Sequence, residues 1–307
     1  MAAEKELTGL ARRERTGSEK RRVGLEQIAR MLPKSEMLRN RDRIAEDVFA
    51  PELLLMGMED SYCDMWSRTE VIDSRIRSIA TVSMMIGVGN VGNQFELGYH
   101  APGAVYNGVT LEELAAVLEH SRVYVGSPAS AWARQSMVAA LKAHGLLEGP
   151  QRGADLERRE RTGSQKRAIA REVLNDIEPG SPLLDVKEEI PTDVFAPELD
   201  FMILENSYCS LWGQTDVLDR RIRSIVTVGI LIGLANHPAL RAHIPVALRN
   251  GVTVPEFEEM VYQASTYLGY PAGTAVRATI AAGIDDAQEL SPGTARIRGA
   301  EGEAAHN

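Results

Sequence analysis

Residues 73–88 read DSRIRSIATVSMMIGV, and residues 219–234 read DRRIRSIVTVGILIGL. Apolar side chains occur on nearly every face of these two stretches when each is drawn as a helix. This density predicts a buried central helix rather than a surface helix with one apolar side. The leading Asp73 and Asp219 are suitable N-caps. The same buried helix therefore occurs twice, and it indicates a helical fold.

The repetition extends over most of the chain. RRERTGS occurs at 12–18 and again at 158–164, an offset of 146. Asn-Gly-Val-Thr occurs at 107–110 and again at 250–253, where the offset is 143, so the first copy carries three extra residues. We expect this insertion in the Gly-rich segment 87–98, because loops accommodate insertions. A period of this length indicates a duplicated domain rather than a solenoid repeat.

Gly, Pro and helix-capping residues mark the predicted boundaries between the domains of the chain. The first copy is predicted at 1–148, the second at 154–284, and a polar tail at 285–307 is expected to be disordered. In each copy Asn-Gly ends one helix, and a capping box at Thr110 or Thr253 begins the next. Strand-like alternation of any length is absent, so the predicted fold class is all-α, arranged as a small orthogonal bundle.

Composition excludes several classes of protein. The chain has 307 residues, a formal net charge of −9 and two cysteines. An acidic balance argues against nucleic-acid or anionic-membrane partners, which need clustered basic residues. No apolar run approaches the roughly 20 residues that span a bilayer, and the N-terminus lacks the apolar segment of a signal peptide. We expect a cytoplasmic protein that acts on a small molecule.

Each copy also carries a longer combination of residues with a fixed order. In the first copy these are Trp66, Asp73, Arg75, Arg77, Ser78, His100, residues 107–110, Tyr124, Gly126, Pro128 and Ala129. In the second they are Trp212, Asp219, Arg221, Arg223, Ser224, His243, residues 250–253, Tyr267, Gly269, Pro271 and Ala272. With this combination each copy resembles the carboxymuconolactone decarboxylase family.

The resemblance implies a fold, an assembly and an activity. The fold would be two tandem alkylhydroperoxidase D-like helical domains. The assembly would be a homo-oligomer, here a trimer of two-domain chains that forms a six-domain ring. The activity would be that of a decarboxylase-like enzyme with no cofactor, acting on a carboxylated lactone or a cyclic keto acid.

Histidines are the candidate catalytic residues. Loss of CO₂ leaves an electron pair that a neighbouring carbonyl can accept, after which an acid must protonate the carbon. His100 and His243 match the histidine of the family, and both precede Asn-Gly by seven residues. The alternative is a buried histidine satisfied by a backbone carbonyl. His120 is the third candidate, with a surface histidine as its alternative. Its counterpart is Gln263, which favours the first copy as the active one.

Seven further residues are candidates for substrate binding. Arginines suit carboxylate and lactone oxygens because of their bidentate geometry, although an ion pair with Asp73, Asp219 or a neighbouring domain is the alternative for the first two of them. Tryptophans that could line a pocket could equally anchor helix packing. The set is Arg77, Arg223, Arg249, Trp66, Trp212, Tyr124 and Tyr267.

Other chemistries find less support. Aligned on their histidines, both copies lack the Cys-x-x-Cys of thiol peroxidases, and the lone Cys63 and Cys209 are expected to be buried free thiols. The histidines are isolated, so no metal site is expected. Divergence between the copies leaves two other functions open. One is a tailoring enzyme that isomerises, cyclises or oxygenates a polycyclic natural product without a cofactor. The other is a non-catalytic binding or scaffold protein.

Overall fold

The computed structural model describes residues 12–33, 35–39, 50–89, 93–149 and 153–290, and the regular elements in these ranges are helices, as predicted. The α-helices are α1 Gly17–Met31, α2 Glu36–Arg39, α3 Pro51–Met56, α4 Ser74–Val88, α5 Asn93–Tyr106, α6 Leu111–Ala143, α7 Leu156–Arg159, α8 Gly163–Ile177, α9 Leu199–Ile203, α10 Arg220–Gly233, α11 His237–Arg249, α12 Val254–Leu268 and α13 Tyr270–Leu290. A short 3₁₀ helix lies at Pro182–Asp185.

The two helices that the sequence singled out, α4 and α10, form the centre of the molecule. Asp73 and Asp219 cap them by accepting hydrogen bonds from backbone amides three residues on. They pack against each other across the boundary between the copies, within one hydrophobic core to which both copies contribute. Glycines allow their backbones to approach closely, because a Cβ on Gly233 would lie only 2.2 Å from the Met84 carbonyl oxygen.

Helices α6 and α12 link the copies a second time. Both start with the predicted capping boxes, and their chains bend at Gly126 and Gly269, whose φ angles are 78° and 90°. Helix α6 packs against α10 of the second copy, and α12 packs against α4 and residues 57–66 of the first. Each copy therefore lends one helix to the other.

A wider helical turn precedes each central helix. Helix α3 continues as a π-helical segment, Gly57–Trp66, and α9 continues as another, Leu204–Trp212. Each π-helical segment ends on a buried tryptophan that packs against the preceding long helix, α1 or α8. Nothing in the sequence patterns predicted this geometry, which is frequent at functional sites.

One expectation about the C-terminal tail needs adjustment. Helix α13 continues to Leu290, so the first six residues of the expected disordered tail, 285–290, are helical, and Asp286 pairs with Arg241. The rest of the tail lies outside the described residues, as do residues 90–92 of the segment expected to hold the insertion. In the described part of the chain, no helix combines the length and apolarity required to cross a membrane.

Candidate active sites between the two copies

The first candidate site combines residues of both copies. Trp66 donates a hydrogen bond from Nε1 to the hydroxyl of Tyr267, at 2.8 Å. The His100 ring stacks on Trp66 at a centroid distance of 6.0 Å and meets Tyr267 edge-on at 5.1 Å. Since Tyr267 lies on α12, the histidine of the first copy has a tyrosine of the second copy as its neighbour.

The second candidate site repeats this arrangement with the roles of the copies exchanged. Trp212 Nε1 donates to the hydroxyl of Tyr124 at 3.2 Å, and that hydroxyl lies 3.3 Å from His243 Nε2. Tyr124 comes from α6 of the first copy. The structure thus brings six predicted residues together in two groups of three, and each group crosses the boundary between the copies.

Arg77 lies beside the first group and is held by a carboxylate. Its side chain is fully buried, and Nη2 donates to Glu259 Oε2 at 2.8 Å and to the backbone carbonyl of Arg68. Burial lowers the pKa of Arg77, and the hydrogen bond that Arg77 donates to Glu259 opposes this effect. The alternative of an ion pair with a neighbouring domain therefore describes Arg77 well.

Arg223 occupies the equivalent place in the second site and has other partners. Its Nε donates to the carbonyl of Gln214 at 2.7 Å, and Nη1 lies 3.2 Å from His120 Nδ1. Burial lowers the pKa of Arg223 to about 10, while Asp216 and Glu119 raise it in part. The guanidinium stays charged at neutral pH, and these two hydrogen-bond partners are neutral, whereas Arg77 has the carboxylate of Glu259.

The surface alternative for His120 is wrong, and so is its assignment to the site of the first copy. The ring is fully buried, and α6 carries it across the boundary into the second site. Because a guanidinium can only donate, Nδ1 of His120 accepts from Arg223, and Nε2 carries the proton that goes to Thr227 Oγ1 at 2.8 Å. The two histidines that favoured the first copy thus lie in different sites.

A directed chain of hydrogen bonds results in the second site. The Thr227 hydroxyl donates a hydrogen bond to the Tyr124 oxygen, at 3.2 Å. Tyr124 accepts there and from Trp212, so its own proton points to His243 Nε2. The chain runs from the cation of Arg223 through His120 to His243. In the first site Gln263 replaces His120 and donates to the Arg77 carbonyl and to Thr81.

The histidines of both sites are neutral near pH 7. Burial lowers the pKa of His100 to about 4 and that of His243 to about 4. The pKa of His120 lies well below its usual value because of burial, Arg223 and His243. Burial also raises the pKa of Tyr124, although its two donors oppose the rise. The resident proton of the second site therefore belongs to Tyr124 rather than to a histidine.

Arg249 is the one predicted site residue that the structure places apart from these groups. Its Nη1 donates to the carbonyl of Ile177 at the end of α8. Conversely, Glu259, Thr81 and Thr227 were not predicted as site residues. Glu259 belongs to no motif, whereas the two threonines recur at the repeat offset of 146, which was the available signal.

The two cysteines are as expected. Cys63 and Cys209 are buried free thiols, and burial raises the pKa of each. Among the described residues, no three or more His, Cys, Asp or Glu side chains form a cluster suited to a metal ion.

Comparison with known proteins agrees with this architecture. The carboxymuconolactone decarboxylase family model matches residues 61–139 and again 203–282. A crystal structure of a protein described as a gamma-carboxymuconolactone decarboxylase subunit, from Burkholderia xenovorans LB400, aligns over 91% of this chain and 99% of that one. Its TM-score is 0.50 at 18% identity, which is a likeness of fold.

Two curated relatives match shorter stretches. The 4-carboxymuconolactone decarboxylase of Acinetobacter baylyi is 37% identical over 67 residues, 21% of this chain and 50% of that protein. The nitrosuccinic acid decarboxylase npaB of Metarhizium robertsii is 38% identical over 71 residues, 23% of this chain and 49% of that protein. The aligned stretches thus span about half the length of these relatives. Since the family model covers more than half of the chain in two equivalent regions, the protein belongs to the carboxymuconolactone decarboxylase family.

Proposed function

We propose that the protein is a decarboxylase that acts on a carboxylated lactone or a cyclic keto acid, by acid–base chemistry that requires no cofactor. The observation that carries the proposal is the chain of hydrogen bonds from Arg223 to the Tyr124–His243 pair. A buried cation and a proton donor are the two groups that such a reaction needs. Both curated relatives are named as decarboxylases of organic acids, which supports the reaction type.

Arg223 would bind and orient the substrate. A guanidinium matches the two oxygens of a carboxylate or a developing enolate, and its attraction is stronger inside a buried site than in water. When the bond to the carboxyl carbon breaks, its electron pair passes to the adjacent carbonyl and CO₂ leaves. The negative charge then rests on the enolate oxygen, where a fixed cation lowers the energy of the transition state.

Tyr124 would protonate the carbon that lost CO₂. Its hydroxyl proton moves to the enolate carbon and leaves a phenolate, which Trp212 and Thr227 stabilise as hydrogen-bond donors. His243 is partly exposed, so it can receive a proton from solvent and pass it to the phenolate. The net reaction exchanges CO₂ for one proton and restores the site.

The substrate must contain a group that accepts the electron pair next to its carboxylate. A lactone or ketone satisfies this condition, and so does the nitro group of nitrosuccinic acid, the acid that one relative is named for. The test set is therefore γ-carboxymuconolactone, a cyclic β-keto acid and nitrosuccinate. The expected result is enzyme-dependent release of CO₂ from at least one of them.

Variants of the second site would then test the residues. Tyr124→Phe and His243→Gln are each expected to lower kcat at least tenfold, a barrier increase of ~1.4 kcal/mol or more. His237→Gln is the matched control, because it lies on the same helix α11 but hydrogen-bonds to Thr279 outside the site. Wild-type rates in both site variants would overturn the proposed mechanism. No CO₂ from any of the three acids would overturn the proposed substrate class.

The remaining expectations belong to the same proposal. We expect no thiol peroxidase activity, because each buried cysteine lacks the second thiol of a dithiol pair in its sequence neighbourhood. The trimeric ring and the cytoplasmic location remain predictions.

A further inference from the structure

The two sites differ at three neighbouring positions, although the chain around them is duplicated. Arg68 of the first site corresponds to Gln214, at an offset of 146. On the helices that cross the boundary, where the offset is 143, Glu259 corresponds to Ala116 and Gln263 to His120. All three differences surround the arginine of each site, so they change its electrostatic environment.

In the first site the guanidinium of Arg77 already binds a carboxylate of the protein, that of Glu259. Glu259 accepts from Arg68 Nε and Nη2, at 3.0 and 2.6 Å, and from Arg77 Nη2 at 2.8 Å. Its side chain is only 4% exposed. Burial raises the pKa of Glu259, but the hydrogen bonds from both arginines outweigh this effect and lower it overall. Glu259 is therefore ionised and holds both guanidinium groups.

In the second site the same position is Ala116, which has no acceptor. The Arg223 guanidinium instead hydrogen-bonds to a backbone carbonyl and to the neutral ring of His120, while Asp216 and Glu119 attract it electrostatically. Neither hydrogen-bond partner carries a negative charge, so a carboxylate bound directly to Arg223 would gain the interaction that Glu259 makes in the first site. Solvent exposure also favours the second site, since His100 is only 6% exposed whereas His243 is partly exposed.

We propose that the second site alone takes a substrate carboxylate, on Arg223, and that Glu259 is a built-in carboxylate that blocks the equivalent place in the first site. The ligand class is a small organic acid with a free carboxylate. This inference rests on the proposed function for its biological meaning, but carboxylate binding can be measured without turnover. It also reverses the expectation that the first copy is the active one.

The test measures thermal unfolding with succinate as the probe. Dimethyl succinate is the uncharged control, and sodium chloride keeps the ionic strength constant. A ligand that binds the folded state raises Tm with its concentration. We expect succinate to raise the Tm of the wild-type protein and dimethyl succinate to leave it unchanged.

Substitutions at Ala116 and Glu259 show which of the two sites binds succinate. Ala116→Glu should supply Arg223 with a carboxylate and weaken succinate binding at least tenfold, whereas Ala116→Gln, of equal size without charge, should keep more of it. Glu259→Ala leaves Arg77 and Arg68 without their carboxylate. This variant should be less stable than the wild type and should show a larger succinate-dependent rise of Tm. If it does not fold, the Ala116 pair still decides.

Two results would overturn the inference. One is the absence of any succinate effect on the wild-type protein. The other is an equal succinate effect in wild type and Ala116→Glu. Failure of the proposed function is distinguishable from both, because succinate would then bind as expected while no acid in the test set released CO₂.

Discussion

Replacing Gly233 by alanine should separate the two central helices and disturb both sites together. The new Cβ would lie 2.2 Å from the Met84 carbonyl oxygen and 2.9 Å from the Val88 nitrogen. Ordinary contact of a Cβ begins near 3.4 Å, and both atoms belong to the backbone of α4, so no side-chain rotation relieves the clash. The helices must therefore move apart by about 1 Å at this point, which forfeits a quarter to a half of each dispersion contact across the gap.

The expected cost follows from this displacement. Overpacking of a core costs about 1–3 kcal/mol, and the backbone contact puts Gly233→Ala at the upper end, about 3 kcal/mol. For a chain of this size that corresponds to a fall in Tm of roughly 5 °C. Helices α4 and α10 carry Arg77 and Arg223, so the displacement should also lower turnover.

Thermal unfolding by circular dichroism measures this loss, with Gly98→Ala as the matched control. Gly98 lies inside α5, and a Cβ there meets nothing within 4 Å, so alanine should leave Tm unchanged or raise it slightly. If Gly233→Ala were as stable as the wild type, the close approach of α4 and α10 described above would be refuted.

Three further predictions address the sites and the assembly. Thr227→Val interrupts the chain between His120 and Tyr124 and should lower kcat at least tenfold with little change in KM. Thr81→Val, its counterpart in the first site, should change kcat less than threefold, and equal losses in steady-state assays would contradict the chain as the functional element. Burial lowers the pKa of His100 to about 4, below the 6.5 of an exposed histidine, so the unfolded state binds the extra proton first. Stability should therefore fall as pH drops from 6.5 to 4, by about 3 kcal/mol from this residue. His100→Gln should remove that part of the fall in urea titrations, and parallel pH curves for the two proteins would refute the neutral histidine. Sedimentation equilibrium should give three times the mass of one chain, and a monomer would rule out the six-domain ring.

The sequence alone determined the features that depend on local backbone chemistry. Asp73 and Asp219 cap the central helices as expected, and the Thr-x-x-Glu motifs form capping boxes. Gly126 bends the chain with a positive φ angle because a residue without a Cβ adopts that conformation readily. Such features involve residues within one helical turn, so spacing is sufficient to predict them. The internal repeat added a comparison of the two copies, and its offset of 143 after the insertion identified His100 and His243 as equivalent.

Only the tertiary structure decided which copy completes each site. The pattern of apolar residues tells which face of α6 or α12 is buried, but both copies have nearly the same pattern, so it cannot tell whether that face packs within its own copy or on the other one. In the structure each of these helices packs on both copies, which brings His120 and Tyr124 close to His243 and brings Glu259 to Arg77. Electrostatic pairing between residues more than 100 positions apart leaves no local signal. For that reason the difference between the two sites followed from contacts across the boundary and not from the sequence.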